Sequence, residues 1–441
     1  MGRMPAPPPG RFAALRHRDY RLIWAGNFIS IIGSQMQFVA INWHVYTLLQ
    51  GTQLSLNLFG HEIALNSEAL GLGGVGLARI VPIMIFALVG GTLADIVNRR
   101  KLLLITNTAS AGFAALLAAL SFAQRDTVWA VYLLTAAGAA TTAFSGPAFQ
   151  SIVPNLVPKE DLTNAISLNS LVRQVATILG PAAAGVILAA ANVGWVYALN
   201  AASFVAIVAA LALIRYRSGP AARDTGLGWA AIVEGWRFVR GARIIWGTMM
   251  LDFFATLFSS ARTLLPLVAD QVLGMGAQGY GLLSSADAIG SLLAGTVISL
   301  RKDIYRQGAV LLGSVAVYGL ATALFGVSTS FVLSFLFFAV VGASDTISTI
   351  IRQTVRQMMT PDRLRGRMTG INQIFFMGGP QLGEMEAGAV AAAFGVPFAI
   401  VSGGLATVAM TGYIAWRYPR LRQYTSATMA EDQARLAQAG A

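Results

Sequence analysis

The chain has 441 residues, of which 56% are hydrophobic and only 11% charged, and a mean hydropathy of +0.64; soluble domains carry about 25% charged residues, so water is not its main solvent. It has no cysteine, which excludes disulfides, thiolate nucleophiles, Cys-ligated zinc and iron–sulfur clusters. The net charge of +12 does not point to nucleic acid, because the basic residues punctuate the ends of apolar runs instead of gathering on a polar domain.

Residues 1–21 are basic and carry Pro5, Pro7, Pro8 and Pro9, with no apolar core or cleavage site ahead of the first long span. They read as a cytoplasmic arm, not a signal peptide. Apolar runs of the roughly 20 residues that a spanning helix needs then follow almost end to end. They predict spans near 22–49, 71–94, 102–124, 127–149, 163–192, 194–215, 244–269, 279–300, 308–328, 330–351, 366–393 and 396–416. With the N-terminus inside, the inner connections collect Arg99, Arg100, Lys101, Lys159, Arg215, Arg301, Arg306, Arg363 and Arg365, whereas the outer loops hold only Arg125. This asymmetry places both termini in the cytoplasm.

The expected organisation is an all-α membrane protein of 12 transmembrane helices in two pseudo-symmetric six-helix bundles. A cytoplasmic arm, 1–21, precedes a first bundle, 22–215. A cytoplasmic linker, 216–243, carries an amphipathic stretch around Trp229, Ile232, Val233, Trp236 and Phe238. A second bundle, 244–417, and a cytoplasmic tail, 418–441, complete the chain. An internal repeat supports the division. Pro158-Lys159-Glu160-Asp161-Leu162 before span five is echoed by Pro361-Asp362-Arg363-Leu364 before span eleven, and each leads to a Gly-Pro step, Gly180-Pro181 and Gly379-Pro380. Proline removes a backbone hydrogen bond, so these steps are candidate helix bends. The segment Thr52 to Ser67, with His61 and Glu62, makes the first outer loop long, as an inserted segment would against the family resembled below, and has no assigned role.

Helix periodicity marks polar faces. In span one, Asn27, Ser30, Ser34, Gln37 and His44 share one face; Ser167, Ser170, Gln174 and Thr177 do so in span five, and Asp252, Thr256, Ser259 and Thr263 in span seven. Singly, such residues serve interhelical hydrogen bonds of roughly 0.6 kcal/mol. Together they suggest a water-accessible cavity, to which Gln373 of span eleven is added.

Charge inside the spans is the sharper signal, since an Asp, Lys or Arg at a helix centre costs roughly 2.5–3.5 kcal/mol to insert. The candidates are Arg79, Arg173, Asp252, Arg262, Asp287, Asp345, Glu384 and Glu386, with every acidic one in the C-terminal half. A carboxyl in such a place can load and release a proton, whereas Arg stays charged. Proton coupling is therefore expected through Asp252, Asp345 or Glu384, with Arg79, Arg173 and Arg262 lining the cavity. The competing reading of each carboxylate is a fixed salt bridge to Arg79, Arg173 or Arg262, and Asp287 and Glu386 suit it best. Glu384 and Glu386 lie about 200° apart on an ideal helix, so they do not share a face. His, Asp and Glu show no metal-ligand spacing, no phosphate-cradling loop is present, and no cofactor is expected.

The link between spans two and three reads Gly90-Gly91-Thr92-Leu93-Ala94-Asp95-Ile96-Val97-Asn98-Arg99-Arg100-Lys101. It resembles the major facilitator signature G-x-x-x-D-R/K-x-G-R-R/K, with Ile96 in place of a basic residue and Asn98 in place of glycine. Asn tolerates the left-handed backbone for which such a turn uses glycine. The resemblance implies that Gly91, Asp95, Arg99 and Arg100 form a conformational latch. Gly180-Pro181-Ala182-Ala183-Ala184-Gly185 is similar to the G-P-x-x-G-G element of the family's exporters. Gly146-Pro147-Ala148-Phe149-Gln150 and Thr360-Pro361-Asp362-Arg363-Leu364-Arg365-Gly366-Arg367 resemble the subgroup of siderophore, macrolide and multidrug efflux proteins.

What the resemblance implies is a non-enzymatic secondary transporter of a bacterial inner membrane. It would act as a monomer with membrane lipid, protons and a small organic substrate as partners, exporting an amphipathic siderophore or drug as an antiporter by alternating access. Uptake of a small polar metabolite is the alternative. A membrane-embedded enzyme or a non-transporting receptor fits the residues less well.

Overall fold

A computed structural model describes residues 12–58, 61–216, 229–301, 304–425 and 427–428. Helices dominate. In chain order they begin with α1 (Arg18–Leu49), α2 (Ser67–Ile96), α3 (Arg99–Phe122), α4 (Val128–Ile152), α5 (Leu162–Ala190) and α6 (Gly194–Leu213). Next come α7 (Trp229–Gly241), α8 (Arg243–Phe258) and the three-residue α9 (Leu265–Leu267), then α10 (Gly276–Ser299), α11 (Gln307–Val327), α12 (Phe331–Met359), α13 (Asp362–Phe394), α14 (Val396–Arg417) and α15 (Pro419–Arg422). The inserted segment after α1 folds as an antiparallel hairpin, β1 (Gln53–Leu58) with β2 (His61–Asn66), registered from Gln53 opposite Asn66 to Leu58 opposite His61.

Ten stretches of the described residues are long and apolar enough to cross a bilayer. The expected twelve would require α1 and α13 to cross as well. Both are long, 32 and 33 residues, but α1 is studded with Asn27, Gln35, Gln37, Asn42 and His44, and α13 begins on Asp362, Arg363, Arg365 and Arg367. Large apolar side chains such as Trp129, Leu133, Ile105, Leu293 and Val332 point outward, as lipid-facing surfaces require.

Contacts divide the chain into two compact units, Met1–Ile41 with Val81–Arg223, and Asn42–Ile80 with Asp224–Ala441; the division falls inside α1 and α2. The first unit packs α3 against α4 and α6, around a core of Tyr20, Ile23, Leu103, Ile152, Ile207 and Leu211. The N-termini of α3 and α4 are capped by side chains, which supply partners to the first N–H groups that a helix leaves unpaired. Thr127 caps α4 at Ala130 N (3.2 Å). Asn98 caps α3 by accepting from Lys101 N at 3.2 Å, and its φ of −56° is not left-handed, so the motif turn uses Asn98 as a cap and not as a glycine substitute.

The second unit pairs α10 with α12, α11 with α12 and α14, and α13 with α7, α8 and α14. The α10–α12 crossing is made by two glycines: a Cβ on Gly290 would run into Ala339 O, and one on Gly342 into Asp287 O. Backbone approach of this kind needs small residues at the contact. Gly395, at φ +90°, turns the chain between α13 and α14, a conformation that side chains rarely tolerate. α7 docks through Phe238 and Val239 on Ile245, Met249, Met368 and Ile371, while Trp236 stacks on Phe375 with ring centroids 6.3 Å apart. Of the linker expected at 216–243, residues 217–228 lie outside the described residues.

Span seven departs from expectation. A continuous helix over 244–269 is predicted, but α8 stops at Phe258 and the chain continues as a 3-10 turn (Ala261–Leu264), α9 and a π turn (Val268–Val272). Pro266 has no N–H to give and its ring crowds the carbonyl four residues earlier, which disfavours a regular helix through Arg262, and it sits instead in the first turn of α9, where a proline is tolerated. The two Gly-Pro steps do not interrupt their helices: Pro181 lies within α5 and Pro380 within α13. The repeat is visible in the backbone, since Pro158 (ψ 158°) and Pro361 (ψ 145°) are both extended immediately before a helical turn begins.

Candidate functional site

Charges of the spans gather within the second unit in three groups, most of them buried, with Arg262 and Asp345 half exposed. On α2 and α13, Arg79 Nη1 stands 3.6 Å from Glu384 Oε2, and both residues are buried. Gly73 and Gly76 let the helices meet there: a Cβ on Gly73 would lie 3.2 Å from Gly388 Cα, and one on Gly76 would lie 2.7 Å from Glu384 Cβ. The Tyr280 ring of α10 closes the same corner, stacked on Trp43 at 5.9 Å between centroids, with its hydroxyl beside Asn42, Ser284, Arg79 and Glu384. Glu386, two residues on, is only half-buried and turns away, as the helical angle requires.

The second group joins α8 to α12. Arg352 Nη1 meets Asp252 Oδ1 at 2.9 Å, and its Nη2 reaches Asp345 Oδ1 at 3.5 Å and Thr349 Oγ1 at 2.8 Å. Asp345 and Arg352 are seven residues apart, two turns along one helix face. Asp252 thus pairs with none of the three arginines expected for it. The third group is Arg262 of the 3-10 turn, paired with Asp287 of α10. Tyr318 of α11 lies among Asp345, Asp287, Arg262 and Asp252 and donates to Ser259 O at 3.3 Å.

Sequence reasoning missed Arg352, Arg356 and Asp270. Span ten is predicted to stop at residue 351 because charge follows, yet α12 runs to Met359 and buries both arginines. The signal was the face shared by Asp345, Ser348, Arg352 and Arg356 at helical spacing. Asp270 lies past the predicted end of span seven and accepts from the Tyr46 hydroxyl at 2.6 Å.

The remaining expected residues fall as follows. Gln37 Oε1 accepts from Asn200 Nδ2 at 2.6 Å, and Thr177 Oγ1 of the α5 stripe accepts at 3.0 Å from Gln35 Nε2, an α1 residue outside the predicted stripe; Gly180 makes that approach possible. Asn27 and Gln174 are half-buried, and Arg173 is exposed on α5. Ser34, Ser167, Ser170 and Thr256 bond back to carbonyls of their own helices, so these four hydroxyls serve local helix geometry. Of the span-seven stripe, Ser259 lies beyond the end of α8 and shares a hydrogen bond with Thr407 at 2.8 Å. The side chain of Gln373 lies outside the described residues.

In the motif between α2 and α3, Gly91 and Asp95 lie in the last turns of α2, and the surroundings of Gly91 and the side chain of Asp95 fall outside what is described. Arg99 Nη1 donates to Ser151 O (3.2 Å), and Arg100 donates to Leu211 O (2.7 Å) and Ala212 O (2.8 Å). The basic pair therefore satisfies carbonyls at the ends of α4 and α6, where helices leave acceptors unpaired and cations are favoured. Among the described residues no group of three His, Asp or Glu side chains is arranged to hold a metal ion.

Comparison with known proteins agrees with this architecture. A family model described as "Transmembrane secretion effector" matches residues 9–438. The chain is 27% identical over 357 residues to the enterobactin exporter EntS of Salmonella choleraesuis (strain SC-B67), spanning 80% of this chain and 81% of that protein. To EntS of Escherichia coli O1:K1 / APEC it is 26% identical over the same length and shares. Among solved structures, a bacterial homolog of the human lysosomal transporter Spinster, inward-facing and occupied, gives a TM-score of 0.68 at 14% identity, covering 95% of this chain and 99% of that one. The nucleoside transporter NupG gives 0.68 at 13% identity (92% and 100%), and the D-xylose-proton symporter 0.64 at 13% (93% and 98%). At such identities the solved structures establish a shared fold and nothing about cargo.

Proposed function

Because the chain belongs to the transmembrane secretion effector family of major facilitator transporters, and so is a multi-pass membrane transporter and not an enzyme, we propose that it exports an amphipathic organic compound, a siderophore or drug, in exchange for protons entering the cell. The export direction and the cargo class rest on the enterobactin exporters that resemble it over four-fifths of its length. The protein works by alternating access in a bacterial inner membrane, as a monomer with both termini in the cytoplasm. The distribution of Lys and Arg supports that orientation.

The observation that carries the coupling is the Arg79–Glu384 pair, a cation and a carboxylate held 3.6 Å apart inside helices of bilayer length. A carboxylate can be neutralised by a proton; a guanidinium cannot. Proton loading at Glu384 removes one charge and releases Arg79, so the pair has two electrostatic states that a proton gradient selects. Asp252 and Asp345, sharing Arg352, are the alternative proton carriers.

The test is flux of a fluorescent drug panel and a catecholate siderophore in proteoliposomes, driven by a pH gradient, for wild type and Glu384→Gln. Gradient-dependent export that Glu384→Gln abolishes supports the antiporter with Glu384 as carrier. Undiminished flux in that variant moves coupling to Asp252 or Asp345. Flux indifferent to the gradient overturns proton coupling.

A further inference from the structure

The inner turns of α12 bury more positive than negative charge. Arg352 and Arg356, one helical turn apart, are 2% and 4% exposed. Asp252 is the carboxylate buried with them, its side chain 6% exposed and facing both guanidiniums, whereas the side chain of Asp345 is 50% exposed. Tyr318 faces the group from α11 without a formal charge. Arg352 Nε and Arg356 Nη1 are fully covered yet have no hydrogen-bond acceptor among the described residues.

Buried cations in proteins are paired and their N–H groups hydrogen-bonded, because the desolvation of a charge is otherwise uncompensated. Two bare guanidinium donors on successive turns of one helix are a fork that matches an oxyanion, which can accept from both at once. The half-exposed Asp345 holds Arg352 at 3.5 Å, longer than a charge-assisted hydrogen bond, so an incoming anion competes with a weakly held internal one.

We propose that Arg352 and Arg356 form a binding site for an oxyanion (a carboxylate or phosphate group) carried by the exported compound. As a statement about cargo this rests on the export reading; as a statement about binding it does not. It gives the transporter a preference for anionic amphiphiles over neutral ones of the same shape. The site is separate from the Arg79–Glu384 pair, so binding of the anion and loading of the proton occur at different residues.

The test is equilibrium binding to the purified full-length protein in detergent, without any gradient, using 2,3-dihydroxybenzoate, its methyl ester and inorganic phosphate. Wild type is expected to bind the acid at least tenfold more tightly than the ester. Arg356→Gln is expected to lose that preference and Arg356→Lys to keep part of it. Asp345→Asn removes the competing carboxylate and is expected to tighten the acid several-fold, a gain that misfolding does not produce and that decides the matter if Arg356→Gln fails to fold. Equal affinity for acid and ester in wild type, or no change in both Arg356→Gln and Asp345→Asn, overturns the site. Phosphate that binds as tightly as the acid reassigns it to a free anion and overturns the cargo assignment. Intact anion binding without export would count against the export reading alone; export without anion binding would count against this site alone.

Discussion

Glu384 meets Arg79 at 3.6 Å with side chains 11% and 9% exposed, an ion pair longer than a charge-assisted hydrogen bond and almost shut off from solvent. Removing one partner of such a pair leaves a buried charge uncompensated, at about 3–5 kcal/mol, whereas replacing both with neutral groups of similar size is close to neutral. Arg79→Gln and Glu384→Gln are each expected to lower the unfolding midpoint in detergent sharply, and the double variant to recover most of the loss without recovering gradient-driven flux. A double variant as unstable as the worse single one would mean that the two residues do not compensate each other.

The two carboxylates on Arg352 differ in burial, and this orders their mutational costs. Asp252 is 2.9 Å away and 6% exposed, so Asp252→Asn strands a buried guanidinium and is expected to cost about 3–5 kcal/mol. Asp345 is 3.5 Å away and half exposed, a place where solvent screens the pair, so Asp345→Asn is expected to cost under about 1 kcal/mol. Chemical denaturation of the two variants side by side checks the order; equal losses would contradict the burial argument.

The sequence made part of this site readable, for identifiable reasons. Arg79, Asp252, Arg262, Asp287, Asp345 and Glu384 stand out because each interrupts an apolar run, and charge in a membrane helix is conspicuous. Arg352 and Arg356 do not interrupt a run; they follow one, and an apolar window ends where they begin although α12 continues for two more turns. Pairing was less legible than presence, since which arginine answers which carboxylate depends on helix neighbours: α8 with α12, α2 with α13. The break in span seven was legible in Pro266 but masked by the strong hydropathy on both sides of it.

Helix approach near Glu384 depends on the absence of side chains. Gly73 and Gly388 face each other across α2 and α13, and a Cβ on Gly388 would lie 2.6 Å from Gly73 Cα, a backbone atom that cannot rotate away. Overpacking of a close contact costs about 1–3 kcal/mol or forces the helices apart. Gly388→Leu is expected to lower the unfolding midpoint and to abolish flux by displacing Glu384 from Arg79. Gly138→Leu, on α4 with open space around its Cβ position, is expected to do neither. The same loss in both variants would indicate a general intolerance of glycine replacement.

At the other side of the hairpin base, Tyr46 donates to Asp270 Oδ2 at 2.6 Å, while Glu68 accepts from Gly51 N at 3.3 Å and Ser67 Oγ donates to Thr52 O at 2.5 Å. The first bond ties the end of α1 to the segment after α9, and the other two tie the end of α1 to the start of α2, within one unit. A hydrogen bond to a charged acceptor contributes about 1.5–3 kcal/mol, so Tyr46→Phe, which removes the hydroxyl alone, is expected to lose about that much stability. Hydrogen exchange should then rise in residues 43–52 and 268–273 together, because the bond holds both ends, and stay unchanged in α3 and α6, which belong to the other unit. Faster exchange confined to 43–52 would show that Asp270 is held by other contacts and that Tyr46 is only its neighbour.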